Sequence, residues 1–178
     1  MEFFNKWAPI FMERLQGDFK LSLLSSAAIV GNAGHESGGF KSLQELKPLV
    51  KGSRGGFGIM QWTGPRRRDY EAYCERNRFD PRDMDTNYKF LFVELTGPEG
   101  RVLPKLEAAK TLDEKVEVFS KGFLRPGIPH MDSRKLWARR ALTAWEKAGK
   151  GISIPEPDSP KEKSIWQILM ELFNALFR

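Results

Sequence analysis

Within the stretch GNAGHESGGF, residues 31–40, a single acidic residue, Glu36, lies among Gly31, Ala33, Gly34, Gly38 and Gly39. None of these neighbours supplies a counter-charge. The apolar pattern upstream puts Glu36 at or just past a helix C-terminus, facing the negative end of the helix dipole, where ionisation is disfavoured. Partial burial acts in the same direction. A carboxyl group that keeps its proton near neutral pH is what a general acid needs for glycoside cleavage. Small neighbours would also leave room for a bulky substrate. The alternative reading of the same residues is a solvated glutamate at a helix end.

A second stretch, GGFGIMQWTGPRR at 55–67, combines glycines, which let a backbone approach a ligand closely, with a hydrogen-bonding amide and two aromatic rings. Gln61 can donate to and accept from sugar hydroxyls and amides. Phe57 and Trp62 offer faces on which sugar rings could stack. Read structurally, the same residues form a short hairpin that sends Ile59 and Trp62 into the core. The two readings are compatible, because alternate residues of a strand face opposite sides.

These two motifs are followed in order by NYKFLFVEL, FLRPG and SRKLWARRA, and over roughly residues 10–148 the chain resembles the phage-tail-lysozyme-like family of peptidoglycan hydrolases. The glycine-rich element is also similar to that of goose-type lysozymes and soluble lytic transglycosylases. The resemblance implies a mainly α (α+β lysozyme-like) fold, a helical domain with one small β-hairpin or sheet beside a substrate cleft. It implies peptidoglycan as partner and Glu36 as the general acid that cuts between N-acetylmuramic acid and N-acetylglucosamine. Gln61 and its neighbours Phe57, Gly58, Trp62 and Thr63 would line the sugar cleft.

Glycosidases commonly use two carboxyl groups. Glu45 occupies a place similar to that of the second acid in several phage lysozymes; alternatively it belongs to the solvated face of a short helix in KSLQELKPL. Glu94, among apolar residues of FLFVEL, needs a partner if buried, and Arg67 or Arg140 is expected to supply it. Without a second acid the chemistry would be that of a lytic transglycosylase, in which one glutamate serves as acid and then base and the muramic 6-hydroxyl replaces water. A non-catalytic wall-binding tail protein is the reading from a different class.

Composition narrows the field. A net charge of +6 and a pI near 9.5 suit an anionic partner such as the cell wall. The one cysteine, Cys74, precludes an internal disulfide and reads as a packed thiol. His35 and His130 lack ligand spacing, so neither a metal nor a cofactor is expected. The run Arg66–Arg68 is too short to argue for nucleic acid, and at least one of its members is expected to pack against the glycine-rich element or Glu94. The leading MEFFNKWAPIF lacks the features of a signal peptide. The expected location is the host cytoplasm until lysis, or the virion tail.

The elements that must hold these residues are mostly helical. Apolar spacing predicts helices over 2–16, broken at Gly17-Asp18, and over 20–34, ended or loosened by Gly31 and Gly34. Further helices are expected from Pro65 to about Asn77 with Thr63 as cap, over 85–95, after a Thr111–Glu114 capping box, and over 133–148. The catalytic domain is expected over 1–148, with a Pro/Gly-rich linker over 149–160. Residues 161–178 read as an amphipathic helix, docked on protein or inserted in an anionic membrane interface. Nothing in the sequence sets an oligomeric state.

Overall fold

The structure, a computed structural model, describes residues 1–45, 48 and 52–151. The amphipathic segment expected at 161–178 and all but the start of the expected linker lie outside the described residues. Seven α-helices are present among the described residues: α1 Glu2–Phe19, α2 Leu23–Glu36, α3 Gly64–Asn77, α4 Met84–Thr96, α5 Leu103–Ala108, α6 Leu112–Phe119 and α7 Met131–Lys147. A 3-10 turn, Pro98–Val102, precedes α5, and a π turn, Ser120–Leu124, follows α6. None of the described helices is long and apolar enough to cross a membrane.

The central element is α2, buried continuously from Ser25 to Gly34 and packed against α1, α6 and α7. Ser22 caps its start by accepting a bond from the Ser25 amide. Glycines 31 and 34 do not loosen it, because other elements fill the space they leave. A Cβ on Gly31 would lie 2.4 Å from the Ala138 backbone of α7, and one on Gly34 would lie 2.7 Å from the Phe4 ring. Without side chains there, α7 and α1 approach closely and replace solvent with tight packing.

The break expected at Gly17-Asp18 is also absent, since α1 runs to Phe19 and stops at Lys20 in the left-handed region. Gly17 faces open space, so its cost is only the usual entropy of a helical glycine. Asp18 accepts a 2.8 Å bond from the Tyr88 hydroxyl of α4, which rewards continuing the helix. The capping box forms as expected, with Thr111 and Glu114 each bonding the other's backbone.

The expected β-hairpin is not seen: there is no strand among the described residues. Two isolated bridges, Gln44 to Phe57 and Phe57 to Trp62, are what remains of it. The physical reason is brevity. The chain reverses through Gly58–Gln61, Phe57 and Trp62 exchange both backbone bonds at 3.0 and 2.8 Å, and α3 begins almost at once. Left-handed backbone at Gly55, Gly58 and Gln61 keeps the segment curled rather than extended. Arg67 pins it from α3, donating to the carbonyls of Arg54 and Gly55 at 2.6 and 2.9 Å.

Candidate active site

Glu36 is the last residue of α2, with its side chain 19% exposed. The expectation that it lacks a counter-charge is overturned, and with it the argument that isolation keeps the proton on this carboxyl. The Arg134 guanidinium of α7 lies 2.7 Å from Glu36 Oε1. Arg134 was missed because it stands far along the chain and within a basic helix. It is buried to 1% exposure and bonded on all sides. Its Nε donates to the Pro129 carbonyl at 2.7 Å, and Nη1 donates to Asn32 Oδ1 at 3.2 Å. Asn32, one turn before Glu36 on the same face of α2, is itself fixed by donating to the Ala28 and Val116 carbonyls. A brace thus runs from α6 through Asn32 and Arg134 to Glu36.

His35 sits beside this brace, its Nδ1 2.8 Å from the Ser133 hydroxyl and its ring 5.6 Å from that of His130. Burial first, then the positive charge of Arg134 and the proximity of His130, push its pKa down to about 4. His35 is therefore neutral near pH 7.

The room beside Glu36 does not come from the small residues around it, as expected, since Trp137 and Phe4 fill the spaces at Gly34 and Gly39. It comes from a cleft of about 400 Å³ between α2, the glycine-rich turn and the loop after the π turn. Glu36, Glu45, Gln61 and Thr63 all line it, so the structure brings four of the sequence-derived residues together. Its volume lies within the range of small-ligand sites.

Glu45 is half-buried and tied to the turn. Its Oε2 accepts the Gly56 amide at 2.7 Å, and its own amide donates to the Gly56 carbonyl at 2.9 Å. Ser42–Glu45 are not helical, and the rest of the short helix expected there falls largely outside the described residues. Gln61 spends its amide hydrogens inside the protein, on the carbonyls of Ser42, Leu43 and Gly58. Among the described residues its carboxamide oxygen, which lies against Gly56, accepts no bond. Thr63 starts α3 without a side-chain cap bond and is exposed.

Phe57, Gly58 and Trp62 do not line the cleft. Phe57 and Trp62 are 8% and 1% exposed, so neither offers a face to a sugar. Trp62 packs on Tyr70 and Phe90 and donates from Nε1 to Glu94 at 2.7 Å. A Cβ on Gly58 would lie 2.3 Å from the Trp62 ring, so this glycine serves packing. Glu94 is paired, but with Arg66 rather than Arg67 or Arg140, through bonds of 2.7 and 2.9 Å. Arg66 also lies over the Phe123 ring, and Arg140 over Trp137.

Two parts of the cleft wall were not foreseen: Arg66 and the loop Leu124–Gly127. Arg125 in this loop is left-handed at φ 54 and holds Glu99 through bonds of 2.8 and 3.0 Å. That pairing keeps the Glu99 carboxyl below its usual range and raises Arg125. The Pro-Gly pair after a helical run was the available signal, since such loops on a rigid scaffold often carry function.

A family model described as Phage tail lysozyme matches residues 6–145, which spans the cleft and every helix named above except the ends of α1 and α7. No curated protein and no solved structure matches the chain.

Proposed function

The chain belongs to the phage tail lysozyme family, which supports a lysozyme-like, peptidoglycan-lytic function, and we propose that it is a muramidase with Glu36 as general acid. The bond cut is the β-1,4 link between N-acetylmuramic acid and N-acetylglucosamine. The observation that carries this reading is Glu36 opening onto the cleft while a buried guanidinium holds its other side. In this reading Glu36 delivers a proton to the glycosidic oxygen, and Arg134, an ion-pair partner rather than a device that holds that proton in place, positions the carboxyl and steadies the anion left behind. The Arg134–Asn32 brace fixes the carboxyl before substrate arrives, the preorganisation that proton transfer requires. Glu45 is the second acid, oriented by the Gly56 amide to direct water onto the sugar ring. The carboxamide oxygen of Gln61 and the hydroxyl of Thr63 bind sugar hydroxyl and amide groups. As a phage enzyme it meets the host wall either at penetration or at lysis.

One observation favours a second reading. Glu45 Oε2 is already committed to the turn, and a transglycosylase needs no second acid. Mass spectrometry of fragments released from purified peptidoglycan separates the two. Reducing ends that vanish in both Glu36→Gln and Glu45→Gln support the muramidase. Anhydro-muramic ends, with Glu45→Gln active, support the transglycosylase. No release by folded wild type leaves a wall-binding protein, and undiminished release by Glu36→Gln assigns the acid elsewhere.

A further inference from the structure

The segment that carries Glu45 also walls a second groove, of about 420 Å³, separate from the cleft. Its apolar lining is Phe3, Phe40, Leu43 and Phe57, and Lys41 and Arg82 stand exposed at its edge. An adjoining hollow of about 290 Å³ shares Phe3 and Lys41 and adds Glu2 and Lys6. Three cations therefore face one carboxylate. Among the described residues none of these three cations forms an ion pair. The cleft differs in this respect, for its two arginines, Arg66 and Arg125, are held by Glu94 and Glu99. Among the described residues the positive charge that lines the cleft is thus paired, and that which lines the groove is not. Phe3 stays 39% exposed there, an apolar surface beside cations.

Groove and cleft share a wall. Gln61, which faces the cleft, donates to the carbonyls of Ser42 and Leu43, and the Gly58 amide donates to Leu43 at 2.7 Å. Gln44, which lines the groove, pairs with Phe57. For the groove to serve a polymer lying in the cleft, that polymer's side branches would cross this shared wall. In peptidoglycan those branches are short acidic peptides with methyl side chains.

We infer that the groove binds an acidic stem peptide of the wall strand whose sugars occupy the cleft, with Lys41 and Arg82 taking its carboxylates and the exposed Phe3 and half-buried Leu43 its methyl groups. This rests on the proposed substrate, and it makes the enzyme selective for strands that still carry stems. Lys6 extends the same positive edge.

The test uses the full chain, wild type and Lys41→Gln/Arg82→Gln, with Arg76→Gln/Arg78→Gln as a control of equal charge change at exposed positions. The substrates are glycan strands with stems and the same strands after an amidase has removed them. Wild type should show the lower KM on stem-bearing strands. The groove variant should raise that KM about tenfold, the effect expected of two exposed charge contacts, with kcat and the stripped-strand KM unchanged. The control should change neither, and unchanged Tm values establish that the variants fold. A groove variant that matches the control, or affects both substrates alike, overturns the proposal. Calorimetric titration with the released stem tetrapeptide is independent of cleavage. If wild type cuts neither substrate, the muramidase reading fails, while tetrapeptide binding abolished only in the groove variant still upholds the groove. No binding by wild type overturns it.

Discussion

Replacing Arg134 by methionine removes the guanidinium while keeping an unbranched apolar stem in a buried site. Breaking a buried ion pair by deleting one partner costs ~3–5 kcal/mol. Glu36 is 19% exposed and can rehydrate in part, which favours the lower end of that range. Asn32 and the Pro129 carbonyl each lose a partner at ~1 kcal/mol apiece, roughly offset by no longer burying a charge. The expected net loss of about 3 kcal/mol lowers Tm by about 6–12 °C for a chain of this size. A carboxyl released from its brace is misplaced by a fraction of an ångström or more, so kcat should fall about 100-fold. KM should stay within about threefold, because Arg134 is not among the residues lining the cleft. Arg134→Lys, which keeps a charge but cannot reproduce the three-way fork, should fall between the two. Initial rates on soluble glycan strands, measured well below each variant's Tm, decide the matter. A methionine variant that loses stability yet keeps wild-type kcat refutes the brace and leaves Arg134 a purely structural residue.

Other outcomes follow from single contacts. Gly31→Ala drives a methyl group into the Ala138 backbone and should cost about 3 kcal/mol in urea unfolding, whereas Gly17→Ala, in open space, should stabilise by about 0.8–1 kcal/mol. Trp62→Phe removes a donor from Glu94 and should destabilise by about 1–2 kcal/mol while leaving KM unchanged; a large rise in KM would mean that the indole meets sugar after all. His35 titrates near 6.5 when unfolded and at about 4 when folded, so the unfolded chain binds the extra proton between those values. Stability should therefore fall as pH drops from 6.5 to 4, by about 1–2 kcal/mol after allowing for partial exposure, and His35→Gln should flatten that slope in pH-dependent urea melts.

Much of the helical frame could be read from sequence because its signals are local. The Thr111–Glu114 box and Pro65 at the start of α3 act within one turn of the residues that carry them. The misreadings share a different origin. Gly31 and Gly34 look like helix breakers only if what packs beside them is ignored, and Gly17 only if the Tyr88 bond to Asp18 beside it is. Glu36 looked isolated because its guanidinium partner arrives from α7, a relation that periodicity along the chain does not encode. The aromatic residues of the glycine-rich motif were assigned to sugar by type, yet an indole whose N–H meets a buried carboxylate is better used in the core. Glu45, Gln61 and Thr63 share the cleft with Glu36 because three-dimensional closure of a short turn, rather than a strand, brings them there.

The contact between Gly31 and Ala138 has a consequence for how this protein can change over generations. Asn32 and Glu36 ride on one helix and Arg134 on the other, and the two helices touch backbone to backbone where a glycine removes all clearance. The spacing of Glu36 and Arg134 is thus gauged more than a helical turn away from the cleft, at a buried point. Enlarging Ala138, or any repacking that pries α2 from α7, would move Glu36 relative to Arg134 before the fold itself gave way. Sites that look like ordinary interior filler therefore act as the instrument's calibration, and under the proposed mechanism drift there would show first as slow turnover rather than as lost stability.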